Sequence, residues 1–159
     1  MQPTTPLAKF LPYVLSITSN AVSGRIAQEY RTRFGLSVPE WRVMAVLGDA
    51  GSLTQRDLTQ RTLMDKVAVN RACKVLEERG LAARTPNEQD GRSHHLELTS
   101  DGKAMHGEIM PLAVEMEKRV FEGLSPSEVE QFRELLDRVR AQVGDIDSDS
   151  IDSGNFGVQ

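Results

Sequence analysis

Residues 87–99, NEQDGRSHHLELT, bring Glu88, Asp90, Arg92, His94 and His95 into a span of eight positions. Carboxylates and imidazoles at that density are the side chains of a zinc centre or of acid–base catalysis. The spacing argues against both. Ser93 to Leu98 reads as an extended run, in which successive side chains point to opposite faces, so His94 and His95 cannot close on one ion. His94 shares a face with Leu96 and Leu98 and is expected to be packed, whereas His95 and Glu97 face outward. His106, the one remaining histidine, has no Cys or His beside it, and a zinc site needs three or four converging ligands. No metal and no cofactor are expected.

Nucleophilic catalysis finds no better support. The single Cys73 excludes an internal disulfide and a cysteine-clustered metal site, and its place on the apolar side of a helix reads as a small buried hydrophobe. There is no G-x-S-x-G and no phosphate loop. No catalytic residue is predicted, and the chain is not read as an enzyme.

What flanks the segment gives it a different meaning. From about Leu7 to Phe34 apolar residues recur at helical spacing (Leu11, Val14, Leu15, Val22, Ile26), and Gly35 stops the pattern. Ser37 with Glu40 forms a capping box for a second helix, about Val38 to Asp49. Thr54 with Asp57 caps a short third through about Thr62, and Asp65 caps a fourth that ends at Gly80. Two extended runs follow, Leu81 to Thr85 and Ser93 to Leu98, with Pro86, Asn87 and Gly91 between them, which is a hairpin. Thr99 or Ser100 caps a fifth helix towards Phe121, with a kink at Pro111, and Ser125 with Glu128 caps a sixth to about Val143. Residues 144–159 are acidic and serine-rich, and are expected to form a mobile tail.

Three short helices followed by a hairpin are the parts of a winged helix-turn-helix, whose last helix enters the major groove of DNA. The fourth helix fits that role. Val69, Ala72, Cys73 and Leu76 recur at i, i+3, i+4 and i+7 and form its core face. The opposite face carries Val67, Asn70, Arg71, Lys74 and Glu78, which offers Asn70 to adenine, Arg71 to guanine or phosphate, Lys74 to phosphate and Val67 to a thymine methyl. The alternative is a solvated face of mixed charge.

A net charge of −4 opposes a nucleic-acid partner until its distribution is considered. Residues 54–92 hold eight basic and six acidic side chains, whereas residues 101–159 hold six and thirteen. A basic middle can therefore meet DNA while the acidic third repels it. No run reaches the roughly 18 apolar residues that span a bilayer, and residues 1–12 lack the features of a secretory signal. A soluble cytoplasmic protein with no membrane partner is expected.

Residues 53–102 resemble the DNA-binding core of the MarR family of transcriptional regulators. The resemblance is carried by Leu76-Glu77-Glu78-Arg79-Gly80-Leu81, by Asp90-x-Arg92 before Leu98-Thr99, and by Pro39-Glu40-Trp41-Arg42-Val43. The chain departs from the family at Val67 and Ala68, where Ser or Thr is common, and at Gly91, where a second arginine is frequent. The resemblance implies a mainly α fold with a small β-hairpin, in which a winged helix-turn-helix core (37–102) is flanked by dimerisation helices (7–35 and 104–143) within one domain, 1–143. It implies a homodimeric repressor on a palindromic operator in double-stranded DNA. Lys66, Val67, Ala68, Asn70, Arg71 and Lys74 would then meet DNA from the fourth helix. Arg92, oriented by Asp90, would enter the minor groove, or the two would only pair across the turn.

The resemblance also implies a small-molecule effector, an aromatic carboxylate or phenolic compound, bound between the dimerisation helices and the DNA-binding core. Ser16, Asn20 and Ser23 form a polar stripe on the first helix, Trp41 offers a ring for stacking, and Arg42 a fork for a carboxylate. Equally open are a solvent-facing stripe, a core role for Trp41 and a DNA phosphate for Arg42. The other function class in play is a winged-helix module that docks a protein partner.

Overall fold

The computed structural model describes residues 6–87 and 90–146, and for Asn87 and residues 90–92 it describes the backbone alone. A single 3-10 turn, Leu7–Lys9, precedes α1 (Leu11–Phe34), α2 (Val38–Ala50), β1 (Leu53–Thr54), α3 (Gln55–Thr62), α4 (Lys66–Glu78), β2 (Ala82–Asn87), β3 (Asp90–Leu98), α5 (Ser100–Val120) and α6 (Pro126–Asp145). The chain falls into two compact units, 1–116 and 117–159.

The helix starts follow from their caps. Ser37 and Glu40, Thr54 and Asp57, and Ser125 and Glu128 each form a reciprocal capping box, which satisfies backbone N–H groups that have no partner inside the helix. Asp65 Oδ1 accepts from the Ala68 N–H at 2.9 Å and starts α4. Gly35, in the left-handed region at φ 65°, ends α1 by donating to the carbonyls of Arg31 and Tyr30. At α5 the cap is Thr99, whose hydroxyl accepts from the Gly102 N–H at 3.1 Å and donates to the Gly80 carbonyl at 2.6 Å.

The strands form one antiparallel sheet in the order β1-β3-β2. Leu53 faces Leu96 and Thr54 faces His95 on one side, and Ala82 to Pro86 face Leu98 to His94 on the other. The sequence predicts only the hairpin: a strand of two residues is too short to show a period. The hairpin strands also extend further than predicted, from Ala82 to Asn87 and from Asp90.

One core gathers Tyr30, Leu36, Val43, Met44, Leu47, Leu58 and Leu96 with the four α4 residues predicted to face inward, Val69, Ala72, Cys73 and Leu76, all of which are buried. His94 departs from expectation. It alternates correctly with Leu96 and Leu98, which are buried, yet it is exposed. The pairing with β1 ends at His95, one residue short of it, and its β2 partner Pro86, also exposed, sits at a register shift. The alternation of a strand sets which face a side chain takes, and burial needs another layer on that face. At the tail, α6 runs to Asp145, and residues 147–159 lie outside the described residues.

Candidate nucleic-acid interface

α4 is positioned from both ends. At its N-terminus the Asp65 cap fixes the first turn. At its C-terminus Arg79 spreads its guanidinium over the end of α1, donating to the Gly35 carbonyl at 3.1 Å and to the Phe34 carbonyl at 2.9 Å. Between them the buried row Val69, Ala72, Cys73 and Leu76 seats the helix on the core. The opposite row is thereby forced outward.

Lys66, Val67, Asn70, Arg71, Lys74 and Glu78 are exposed, and Ala68 is half-buried. No ion pair among the described residues neutralises Lys66, Arg71 or Lys74, whereas Arg84 is held by Glu77 at 2.7 Å, and Arg25 and Arg33 share Glu29. Among the described residues, then, the cations on the outward face of α4 carry no ion pair and are exposed, which suits them to phosphate. Asp90 and Arg92 belong to the backbone of β3, and their side chains lie outside the described residues.

A feature not read from the sequence adjoins this face. Gln55, Arg56, Thr59 and Gln60 of α3 and Lys66 of α4 line an open crevice of about 420 Å³. Their signal was present in the spacing, because positions 55, 56, 59 and 60 share one side of a helix, but polar residues on a short helix do not announce a groove until the neighbouring helix supplies its other wall. Helix-turn-helix proteins set the helix before the recognition helix across the DNA backbone, and amide and guanidinium donors suit phosphate there.

The proposed effector residues are only partly brought together. Arg42 Nη2 donates to Ser23 Oγ at 3.1 Å, and both residues are half-buried. Ser16 and Asn20 are exposed on α1. Trp41 is half-buried against the core and meets Tyr30 edge to face, with centroids 5.0 Å apart at 63°. It also lines, with Met44, Ala45, His106, Ile109 and Met110, a crevice of about 10 Å³, room for about one water and no aromatic ring. A larger crevice of about 210 Å³ lies between Leu47, Gly48, Gly51, Glu97, Leu98, Lys103 and His106.

Among the described residues no three His, Cys, Asp or Glu side chains gather to hold a metal. Burial pushes the Cys73 thiol up to about 11, which keeps it from acting as a thiolate at neutral pH. No described helix is long and apolar enough to cross a membrane.

The sequence model of the MarR family matches residues 34–93. The HTH-type transcriptional repressor IacR of Pseudomonas putida is 24% identical over 121 residues, 74% of this chain and 72% of that protein. Among solved structures, a MarR/EmrR family transcriptional regulator of Acinetobacter sp. ADP1 is similar with a TM-score of 0.83 at 25% identity, over 89% of this chain and 100% of that one. A MarR family transcriptional regulator of Silicibacter pomeroyi is similar with a TM-score of 0.78 at 27% identity, over 91% and 100%.

Proposed function

We propose that the chain, whose residues 34–93 match the MarR family model and whose fold is that of MarR family regulators, is a homodimeric cytoplasmic repressor of that family that grips a palindromic operator and releases it when a small aromatic carboxylate binds. The observation that carries the DNA reading is the outward row of α4, where Asn70, Arg71 and Lys74 stand exposed and no ion pair among the described residues neutralises the two cations. Asn70 suits adenine, Arg71 guanine or phosphate, Lys66 and Lys74 phosphate, and Val67 with Ala68 a thymine methyl. Arg92, oriented by Asp90, enters the minor groove from the wing. Gln55, Arg56, Thr59 and Gln60 hold the adjoining backbone. No residue takes a catalytic role.

Apolar surface left open on the flanking helices supports the homodimer. α1 exposes Leu11, Leu15 and Ile17, and no residue of α6 is buried although Phe132, Leu135, Val139 and Val143 are apolar. With Val129 and Leu136, three of these (Phe132, Val139 and Val143) alternate at spacings of three and four, the pattern of a seam made to pack on another helix. In this reading 7–35 and 104–143 pair two copies and set their 37–102 cores so that the two α4 helices lie roughly 34 Å apart, one turn of DNA. The effector binds where Arg42 and Ser23 meet, with Arg42 turning its fork to the carboxylate, Trp41 supplying a ring edge, and Ser16 and Asn20 extending the polar stripe. A ligand that shifts either helix shifts that spacing.

The test is fluorescence anisotropy of the purified protein on the DNA flanking its own gene, with excess non-specific competitor and a salt series. Binding that resists competitor, weakens with salt and is lost in Arg71→Ala and Lys74→Ala is expected. Binding no better than to competitor, there and across a random duplex library, would sink the reading in favour of a protein-docking module. Release by a panel of aromatic carboxylates, absent in Arg42→Ala, tests the effector.

A further inference from the structure

Leu63 closes α3 as its C-terminal cap, with φ 52° and ψ 22°, its N–H donating to the Thr59 carbonyl at 3.1 Å. It is the single non-glycine residue at positive φ among the described residues. That region crowds the Cβ of an L-residue and is occupied at no steric cost by glycine alone. A leucine there would be expected to repay its backbone by packing, yet Leu63 is 74% exposed. Its neighbours in the turn do have structural tasks: Met64 packs on the core and Asp65 caps α4. An exposed leucine by itself is ordinary. One held in an unfavourable backbone conformation, at the tip of the turn that leads into a recognition helix, is not.

Val67, four positions on and in the first turn of α4, is 58% exposed. Two exposed branched aliphatic side chains thus lie four positions apart where the α3–α4 turn enters α4, and Lys66, Asn70 and Arg71, within the first two turns of that helix, are exposed as well. The unneutralised cations around them match a polyanion, and they argue against a lipid tail or an apolar protein groove as occupant. In the major groove the apolar group on offer is the C5 methyl of thymine.

Resting on the DNA reading above, we propose that Leu63 is a specificity residue, which with Val67 grips a thymine methyl at the edge of the operator half-site, and that α4 therefore selects an A·T pair there by apolar contact. Leu63 is absent from the residues that sequence spacing marks, because it lies outside the helix face.

The experiment uses the full chain and a duplex taken from selection on a random library. Wild type, Leu63→Gly and Leu63→Asn are compared on that duplex and on copies in which each thymine in turn is replaced by deoxyuridine, which removes only the methyl. One replacement per half-site is expected to weaken wild type about fourfold, the worth of one buried methyl. Both variants should bind the parent duplex several-fold more weakly and lose that sensitivity, while Leu63→Gly melts at the wild-type temperature or above. The opposite signs of the two effects identify a binding role.

If wild type selects a sequence but every deoxyuridine leaves affinity within twofold, or the variants keep the sensitivity, the Leu63 assignment is overturned and the regulator stands. A fall of several degrees in the melting temperature of Leu63→Gly would overturn it in favour of packing. If wild type selects no sequence at all, both readings fall.

Discussion

Arg42 Nη2 donates to Ser23 Oγ at 3.1 Å, so that α2 is tied to α1 by two side chains nineteen positions apart in the chain. Both are half-buried, which places the bond between the roughly 2 kcal/mol of a charged hydrogen bond out of water and the near-zero of an exposed pair. A double-mutant cycle of Arg42→Ala and Ser23→Ala, followed by urea unfolding, should return a coupling of about 0.5–1 kcal/mol. Additivity within error would mean that the two side chains do not hold each other in solution.

Two glycines make predictions that differ in size and in what relieves them. A Cβ at Gly102 would stand 1.9 Å from the Leu81 carbonyl oxygen, the same oxygen that accepts the Thr99 N–H at 3.1 Å. Backbone would have to move, and Gly102→Ala should cost on the order of 3 kcal/mol. At Gly48 the obstacle is the His106 ring, whose Nε2 would lie 2.3 Å away. A side chain can swing aside, and Ala in a helix interior recovers about 1 kcal/mol over Gly. Gly48→Ala should therefore be mildly destabilising in wild type and stabilising in a His106→Ala background, as read from melting curves.

The caps, the helix order and the inward face of α4 were legible because each depends on a few residues close in sequence: Ser37 with Glu40, Thr54 with Asp57, Val69 with Leu76. What the sequence hid depends on chain segments far apart. Gly102 is needed because Leu81 lies against it, and nothing near either residue says so. β1 exists because Leu53 pairs with Leu96. His94 is exposed because the sheet has narrowed to the hairpin where it stands. Leu63 defies its own propensity, and the crevice at Arg56 and Gln60 needs Lys66 from the next helix to close it. Of the candidate DNA-contact residues, Val67, Asn70, Arg71 and Lys74 were readable from periodicity, whereas Lys66 and Ala68 came only with the family resemblance.

Cys73 should behave as an apolar side chain up to high pH. Burial raises its thiol from 9.0 to about 11, so the folded state holds its proton where the unfolded state has released it. The resulting stabilisation is complete below pH 9 and is lost as pH rises from 9 towards 11. Iodoacetamide at pH 7.5 should label the thiol only at the rate of unfolding, in contrast to immediate labelling in denaturant. Rapid labelling of folded protein would contradict the burial.

Asp57 gives the reverse dependence. Hydrogen bonds from Thr54 hold its carboxyl below the ordinary 3.8, so its contribution is present above pH 3.8 and is lost as pH falls through the lowered value. Asp57→Asn should cost about 1 kcal/mol at pH 7 through the weakened cap. That gap should close in acid below the ordinary carboxylate range, where wild type loses the same charge. A gap that persists at low pH would assign the cost to packing.

Arg79 reaches the carbonyls of Phe34 and Gly35 with two separate nitrogens, and so joins the C-terminal end of α4 to the C-terminal end of α1. Those carbonyls lie at the negative pole of the α1 dipole and have no partners within the helix. A guanidinium serves both at once, whereas an ammonium, a point charge on a flexible stem, serves one at a time. Arg79→Ala should lower stability by about 1 kcal/mol, a fall of roughly 2–4 °C in melting temperature at this chain length, and Arg79→Lys should restore less than half of it. The same joint ties the C-terminal end of α4 to that of α1. Operator affinity should therefore fall in Arg79→Ala by more than the loss in stability accounts for, at a temperature where the variant is fully folded. Affinity equal to wild type under those conditions would confine Arg79 to holding the fold together.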